Sequence, residues 1–276
     1  MSLRLMFLTN DPNVAEIAQN AGVDRILVDL EKLGKAERQG HIDSVKSNHS
    51  LNDIKTLRSH IQKAELLVRI NPINPASTTE INTAIEYGAD SLMLPMFRTT
   101  EEVKEFLQIV SGRTKTTLLL ETAEAEARIE NILKIPGINE IHIGLNDLHL
   151  AHKLSFMFEL LSNGTVEMLC RKIKAYGIPF GFGGISALGS GMLSAERIIA
   201  EHYRLGSSMV ILSRSFCNTA EIRDLIAVEN IFNQEITKIR QFESFLSEQR
   251  EVYFSENQAE IKAIVSNIVS RNKRLS

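Results

Sequence analysis

A strong excess of charge of one sign is missing from this sequence of 276 residues, which has 31 Lys and Arg, 34 Asp and Glu, and a formal charge of -3. Nucleic acid and anionic membrane surfaces favour proteins with a clustered excess of basic residues. We therefore expect neither as a partner, and expect a small molecule instead. The remaining composition, 43% hydrophobic and 24% charged, is ordinary for a soluble globular protein and is compatible with one large α/β domain.

Cysteine and long apolar runs are also scarce. The two cysteines, Cys170 and Cys217, lie in unrelated segments and lack the close Cys or His spacing of a zinc site. We interpret them as buried or free thiols. The N-terminal apolar run ends at polar Thr9 and is too short for a signal peptide or a membrane span. This predicts a cytoplasmic location.

Short apolar runs alternate along the chain with stretches of helical spacing. Most of the runs are continuous rather than alternating in polarity, as expected for parallel strands that are covered on both faces. Several of the intervening stretches begin at a helix-capping residue or end at glycine. The eight predicted strands are Leu5–Leu8, Ile26–Leu30, Leu66–Ile70, Leu92–Met96, Thr117–Leu120, Ile141–Leu145, Pro179–Ile185 and Met209–Leu212.

Eight such units predict a (β/α)8 TIM barrel over residues 1–216. The competing architecture is an open doubly wound sheet. Its nucleotide-binding form needs a glycine-rich loop after the first strand, where Thr9, Asn10, Asp11 and Pro12 stand instead. Residues 217–276 have the pattern of long helices and predict a C-terminal extension, which either caps the barrel or packs as an arm on a neighbouring subunit. We favour the arm.

Polar residues follow several of the predicted strands, and in a TIM barrel the carboxyl ends of the strands converge on one mouth. Glu121 and Asp147 follow successive strands and carry oxygen ligands suited to Mg2+ or Mn2+. Arg69 carries a permanently charged fork that can hold a carboxylate or stabilise an enolate. It can equally form a structural ion pair with Glu121 or Glu31. The other polar residues at strand ends are Asp29, Asn71, Asn146, Ser213 and Arg214.

Two glycine-containing segments are candidates for anion binding. The turn after the sixth strand can present the backbone N–H groups of Asn146 and Asp147 to an anionic oxygen, although an ordinary turn has the same composition. Gly181, Gly183 and Gly184 lack the spacing of a phosphate loop, so close packing in the barrel is the favoured explanation.

Two of the seven histidines are informative. His142 lies inside a predicted strand and is interpreted as structural. His49 lies in a predicted loop, where an imidazole can serve as a base near neutral pH. Most loop histidines are simply exposed, so both interpretations of His49 stay open.

These residues belong to motifs that resemble the HpcH/HpaI aldolase and citrate lyase beta-subunit family of the phosphoenolpyruvate/pyruvate barrel superfamily. The resemblance runs from about Asp24 to Phe216 and depends on the order of short motifs at the strand ends. It implies a metal-dependent lyase that makes or cleaves a carbon–carbon bond through an enolate, in trimers or hexamers that exchange a C-terminal helical element. The motifs are Ile26–Glu31, Leu67–Pro72, Gly88–Met96, Leu120–Ala123 and Gly137–Leu148.

The resemblance also implies roles for individual residues. Glu121 and Asp147 are implied to bind Mg2+ or Mn2+, which would act as a Lewis acid on the 2-oxo group of the substrate. Arg69 is implied to stabilise the oxyanion. The amides of Asn146 and Asp147 are implied to bind the substrate carboxylate. The candidate catalytic residues are Arg69, His49, Asp29, Glu31 and Lys32.

The sequence departs from the family after the second strand. The aldolase branch resembles Asp-x-Glu-His, and Lys32 stands at the fourth position here. In the citrate lyase branch an Asp-Leu-Glu-Asp motif is followed by a lysine and an arginine, to which Lys35 and Arg38 are similar. The segment 48–53, which contains His49, is similar to the histidine-containing stretch of aldolases. The sequence therefore leaves the catalytic base open.

Two classes of function follow. The first is a class II-type lyase or aldolase acting on a pyruvate-like 2-oxo acid, or a related acyl-CoA lyase of the citrate lyase beta type. The second is a binding or regulatory barrel that keeps a metal and small-anion site without catalysis. The Lys32 departure motivates the second class.

Overall fold

A computed structural model of the chain describes residues 2–34 and 48–275. Lys35 and Arg38 lie outside the described residues. Eight parallel strands form a closed barrel in chain order, with β8 hydrogen-bonded to β1. The predicted TIM barrel is therefore confirmed. The strands are β1 (Arg4–Leu8), β2 (Arg25–Asp29), β3 (Glu65–Arg69), β4 (Ser91–Leu94), β5 (Lys115–Leu120), β6 (Glu140–Ile143), β7 (Phe180–Ile185) and β8 (Met209–Leu212).

Helices on the outside of the barrel begin and end where the sequence provides caps. The side chain of Asp11 accepts hydrogen bonds from the first turn of α1, and Gly22 ends that helix with φ +102°, which suits glycine. Thr99 and Glu102 form a capping box at α4. The described helices are α1 (Pro12–Ala21), α2 (Leu51–Arg58), α3 (Ser77–Glu86), α4 (Thr100–Val110), α5 (Ala123–Ala127), α6 (Ile129–Ile132), α7 (Leu145–Ala151), α8 (Glu159–Ser162), α9 (Thr165–Ala175), α10 (Ala195–Leu205), α11 (Leu225–Ser247) and α12 (Glu251–Leu275).

The hydrophobic core has two layers. The larger layer lies between the barrel and its helices, and a small cluster fills the barrel interior. At Gly181 a side chain is excluded, because a Cβ would come within 2.2 Å of the Met209 carbonyl oxygen. This supports close packing as the reason for the glycine. The interior cluster consists of Met6, Leu27, Leu67, Met93, Leu119 and Met209.

A buried charge network closes the amino-terminal end of the barrel. Arg25 is 1% exposed and donates hydrogen bonds of 2.6 and 3.0 Å to the two carboxylate oxygens of Glu140. Its Nε donates to Glu65 at 2.7 Å. Arg4 and Lys115 pair with the same two carboxylates from the outside. A charge buried in this way is tolerated because every partner is hydrogen-bonded.

Truncation of this network is expected to cost stability rather than activity. Arg25→Met leaves the carboxylates of Glu140 and Glu65 without their central partner, so we expect the free energy of unfolding to fall by about 3–5 kcal/mol. Lys104→Met is the control, because Lys104 pairs with Glu101 on the surface, where such pairs contribute less than about 1 kcal/mol. Urea denaturation with an unchanged m-value measures both. A loss below about 1 kcal/mol in Arg25→Met would contradict the network's role.

The C-terminal helices α11 and α12 pack on the chain's own barrel. In α11, Phe232 meets Phe7 of β1 edge-to-face at 4.9 Å between ring centroids. In α12, the Asn257 side chain accepts from Arg197 of α10 and donates to the Arg197 carbonyl oxygen, both at 3.1 Å. These contacts correspond to a cap, and an additional role as an arm between subunits stays a prediction. Among the described helices, none combines the length and the apolar character needed to span a membrane.

Candidate active site

A cavity of about 530 Å3 opens at the carboxyl ends of the strands. This volume lies in the usual range for small-molecule sites. The structure brings most of the sequence-predicted residues to its wall, from five different strand ends or loops. They are Asp29, His49, Arg69, Glu121, Asn146 and Asp147.

Two predicted catalytic residues, Glu31 and Lys32, are not part of the described cavity wall. Glu31 is 3% exposed and lies behind Arg69, with 3.6 Å between its Oε2 and the Arg69 Nε. Lys32 is exposed, and its backbone N–H donates to the Asn71 side chain at 2.9 Å. Asn71 thereby holds the chain that leaves β2. We therefore assign Glu31 to the support of Arg69.

Arg69 is held by a bidentate ion pair that the sequence analysis did not identify. Its Nε and one terminal nitrogen donate to the two oxygens of Asp29 at 2.8 and 2.7 Å. The two residues are register partners at the ends of β2 and β3. Burial alone lowers the pKa of Arg69, but the charges of Asp29, Glu31 and Glu121 and the Asp29 hydrogen bonds raise it above its ordinary value. The guanidinium is thus a fixed positive charge at the cavity.

Glu121 is a buried carboxylate of the cavity, with 4% of its surface exposed. Its Oε1 accepts a 3.1 Å hydrogen bond from the backbone N–H of Met96, a residue held at φ +54°. Its Oε2 lies against Gly144, where a Cβ would come within 2.7 Å. A non-glycine residue in the left-handed region is uncommon and costs free energy. Both backbone features fix the position of one carboxylate.

The pKa of Glu121 lies well above its ordinary value of 4.5. Burial is the main cause, and the nearby charge of Asp147 raises it further, whereas Arg69 opposes the shift. Arg69 neutralises Glu121 incompletely because Asp29 already takes its hydrogen bonds. The acidic pair of Glu121 and Asp147 therefore has an electrostatic environment that a cation would relieve.

Asn146 and Asp147 lie in the first turn of α7, whose first α-helical hydrogen bond runs from the Leu148 N–H to the Gly144 carbonyl oxygen at 3.2 Å. The preceding amides of such a turn have no helical acceptor. Gly144 brings this turn against Glu121, so the backbone donors and the acidic pair share one side of the cavity. This is the arrangement expected for an anionic oxygen beside a cation.

The donor set fits a magnesium-type ion. Within residues 2–34 and 48–275, no group of three or more His, Cys, Asp or Glu side chains is arranged to hold a metal. Mg2+ is usually bound through one or two carboxylates and keeps water or substrate oxygens as its other ligands. Glu121 and Asp147 would supply two such carboxylates. A cage of protein ligands, as in structural zinc sites, does not match these residues.

His49 is buried in the cavity wall with 5% of its surface exposed. Its Nδ1 accepts a 3.0 Å hydrogen bond from the backbone N–H of Asp29. The lone pair of the neutral imidazole is therefore on Nδ1, and its proton is on Nε2. His49 therefore lies at the end of β2, beside the residue whose carboxylate holds Arg69.

His142 also contributes to the wall, from inside β6. Its Nε2 lies 3.0 Å from the Gly183 carbonyl oxygen, and burial lowers its pKa to about 4. A neutral imidazole that donates to a backbone carbonyl supports the structural interpretation made from sequence.

The wall formed after β1 and β8 was largely missed from sequence. It includes Thr9 and Asn10, together with the segment from Ser213 to Ala220. The sequence analysis did not predict Thr9 or Asn10 as site residues. The available signal was the adjacency of the first and last strands in any closed barrel, which places these two segments side by side.

Comparison with known proteins agrees with this geometry. A family model described as HpcH/HpaI aldolase/citrate lyase matches residues 4–158 of the chain. The structure of an HpcH/HpaI aldolase from Desulfitobacterium hafniense DCB-2 is similar, with a TM-score of 0.60, 16% identity, and coverage of 77% of this chain and 86% of that chain. The citrate synthase SbnG gives a TM-score of 0.61 at 15% identity, covering 83% and 94%.

A family protein of the same kind from Burkholderia cenocepacia J2315 gives a TM-score of 0.59 at 16% identity, covering 82% of this chain and 95% of that chain. At such identities the structural likeness establishes the fold alone. No curated protein matches the sequence. The family assignment therefore depends on the match over residues 4–158.

Proposed function

The chain belongs to the HpcH/HpaI aldolase/citrate lyase family, and from that premise we propose that it is a divalent-metal-dependent lyase that breaks or forms a carbon–carbon bond next to a pyruvate-like 2-oxo acid. The family supports a lyase-type function. The metal dependence and the substrate are our proposal.

One observation carries the proposal: Glu121, Asp147, Arg69 and His49 meet on the wall of a single cavity at the catalytic end of a TIM barrel. Acidic oxygen ligands, a fixed positive charge and an imidazole are the groups that enolate chemistry requires. A regulatory barrel would need the anion site but would have no use for the buried imidazole beside Asp29.

Each residue has a distinct task in this proposal. Glu121 and Asp147 would hold Mg2+ or Mn2+, which when bound supplies Lewis-acid polarisation of the 2-oxo group. The first-turn amides of Asn146 and Asp147 bind the substrate carboxylate. Arg69 stays charged and aligned by Asp29, and it stabilises the oxygen on which negative charge develops.

His49 is our candidate for the proton acceptor. In the cleavage direction the C3–C4 bond of a 4-hydroxy-2-oxo acid breaks and its electron pair forms the pyruvate enolate. The C4-hydroxyl proton goes to the base as the C4 carbonyl forms. The lone pair of His49 is engaged by the Asp29 N–H, so proton uptake at Nδ1 requires this hydrogen bond to break. Lys32 is less well placed because it lies off the described wall.

The proposal is tested by the exchange of the pyruvate methyl hydrogens with deuterium in D2O, followed by NMR. This half-reaction needs the enolate but no second substrate. We expect exchange that depends on enzyme and on added Mg2+ or Mn2+ and that stops with a chelator. Exchange equal to that of buffer with metal, from folded protein, would refute the proposal.

His49→Ala is expected to separate proton transfer from metal binding. General acid–base groups contribute about 10²–10⁴-fold, so kcat for cleavage of a 4-hydroxy-2-oxo acid should fall by that factor. The affinity for Mn2+ should stay close to the wild-type value, since His49 is not a ligand in our proposal. His60→Ala is the control, because His60 is half-exposed and pairs with Glu16 away from the cavity. An unchanged kcat in His49→Ala would show that a group other than His49 accepts the proton.

A further inference from the structure

We propose that Arg214 and the polar wall formed after β1 and β8 bind the anionic group of the second substrate, which would make the acceptor a negatively charged aldehyde or oxo acid. This inference rests on the proposed lyase function, because it assigns to the second substrate the part of the cavity that the metal and pyruvate do not occupy. It concerns binding and specificity, and Arg214 takes no part in proton transfer.

The charges on the cavity wall motivate the proposal. Of the described residues that line the cavity, Arg69 and Arg214 carry a permanent positive charge. Arg69 is committed to Asp29 and Glu31. Arg214 is exposed at the end of β8 and forms no ion pair or hydrogen bond with the part of the chain that the structure describes. Its charge is therefore available to a ligand.

The position of Arg214 fits a second substrate. β1 and β8 are register partners, with Phe7 opposite Leu212, so the segments that follow them lie side by side. Glu121 follows β5, three strands from β8 around the ring and four from β1. The cavity of about 530 Å3 exceeds what a three-carbon acid requires and spans both sides. An acceptor held by Arg214 would lie between Arg214 on one side of the cavity and Glu121 on the other, and would face the enolate carbon.

Side chains around Arg214 add polar character to this wall. Asn218 lines the cavity, and its buried Oδ1 has no hydrogen-bond partner among the described residues. Asn10 is also on the wall and is oriented by a 3.3 Å hydrogen bond to Asp53. An uncommitted cation beside polar groups favours a ligand with a charged end and a hydroxyl or carbonyl oxygen.

Carboxylates and phosphates both match a guanidinium, so the experiment uses one aldehyde of each kind. Wild-type protein, Arg214→Gln and Arg223→Gln are assayed for carbon–carbon bond formation from pyruvate. The acceptors are malonic semialdehyde, glyceraldehyde 3-phosphate and uncharged glyceraldehyde. Arg223 is an exposed arginine outside the described cavity wall and serves as the control. The measured quantity is the ratio of kcat/KM for each charged acceptor to that for glyceraldehyde within one variant, so a general loss of activity cancels.

We expect at least one charged acceptor to be preferred by the wild type and by Arg223→Gln. In Arg214→Gln that preference should fall by about tenfold or more, since a charge-assisted hydrogen bond is lost. The acceptor whose preference falls shows whether Arg214 binds a carboxylate or a phosphate. A preference that is the same in Arg214→Gln, or a wild-type preference for glyceraldehyde, would overturn the inference.

Failure of the lyase function itself would be recognised separately. The pyruvate exchange reaction contains no acceptor, so its absence refutes the proposed function without reference to Arg214. In that case calorimetric titration of the two charged aldehydes decides on the subsite. Binding weakened about tenfold in Arg214→Gln but not in Arg223→Gln supports it, and equal binding by all three proteins overturns it.

Discussion

Arg69→Lys is expected to slow metal-dependent exchange of the pyruvate methyl hydrogens by at least about 100-fold, and Arg69→Ala by about 10³-fold. Loss of one preorganised donor to a developing oxyanion costs about 10²–10³ in rate. Lysine keeps the charge but cannot reproduce the planar fork that meets both oxygens of Asp29 at 2.8 and 2.7 Å. The charge alone is therefore not enough.

The stability of the Arg69 variants has to be measured alongside. Arg69→Ala leaves Asp29 without the guanidinium that binds its carboxylate, and we expect a loss of about 3–5 kcal/mol in unfolding free energy. Arg69→Lys keeps a positive charge there and should lose less. Arg98→Ala is the control, because Arg98 is 59% exposed and only 3.8 Å from Glu124 in a surface pair. Wild-type exchange in folded Arg69→Lys would show that the Asp29–Arg69 pair is structural only.

Glu121→Gln is expected to weaken Mn2+ binding by at least about 100-fold, and metal-dependent exchange should be lost with it. Substitutions that disturb only the groups around a ligand already cost 10–100-fold in affinity, so loss of a ligand should cost at least as much. The amide keeps the size of the side chain, which isolates the charge. Glu124→Gln is the matched control, because Glu124 lies nearby in α5 and its side chain is 53% exposed.

Gly144→Ala tests the position of the same carboxylate without removing it. The added methyl group would come within 2.7 Å of the Glu121 Oε2 and 2.9 Å of its Cβ, so the side chain must move. We expect weaker Mn2+ binding in a folded protein. Unchanged affinity in both Glu121→Gln and Gly144→Ala would exclude Glu121 as a ligand.

The raised pKa of Glu121 gives these experiments a pH dependence. Burial and the charge of Asp147 make the folded protein hold this proton more tightly than the unfolded chain does. Without metal, stability should therefore fall as the pH rises from the ordinary value of 4.5 through the raised pKa. Glu121→Gln should lack this decrease. Metal binding should strengthen over the same pH range, because only the ionised carboxylate is a ligand.

Much of the architecture was predictable because a barrel repeats one local pattern. Continuous apolar runs such as Ile26–Leu30 and Met209–Leu212 correspond to strands buried on both sides. Polar residues at or near the ends of such runs are expected at the mouth, and Arg69, Glu121 and Asp147 were predicted there and line the cavity. The predicted ends of β4 and β6 lie beyond the observed ends. Met96 and Leu145 are apolar, but Met96 belongs to the turn after β4 and Leu145 to α7.

The pairings within the site could not be read from sequence. Asp29 and Arg69 are 40 residues apart and meet only through the register of β2 and β3. The left-handed backbone of Met96 has no residue-type signal, because such positions usually carry glycine or asparagine. The hydrogen bond that buries Arg25 with Glu140 joins residues 115 positions apart and depends on the closure of the ring. Each of these features is tertiary.

Whether Glu121 and Asp147 share a cation is measured most directly by titration of the folded protein with Mn2+, followed by electron paramagnetic resonance with and without oxalate. We predict one bound ion per chain, tighter binding when oxalate is present, and loss of that ion in both Glu121→Gln and Asp147→Asn. No uptake by folded wild-type protein, or uptake that neither substitution alters, would contradict the central claim.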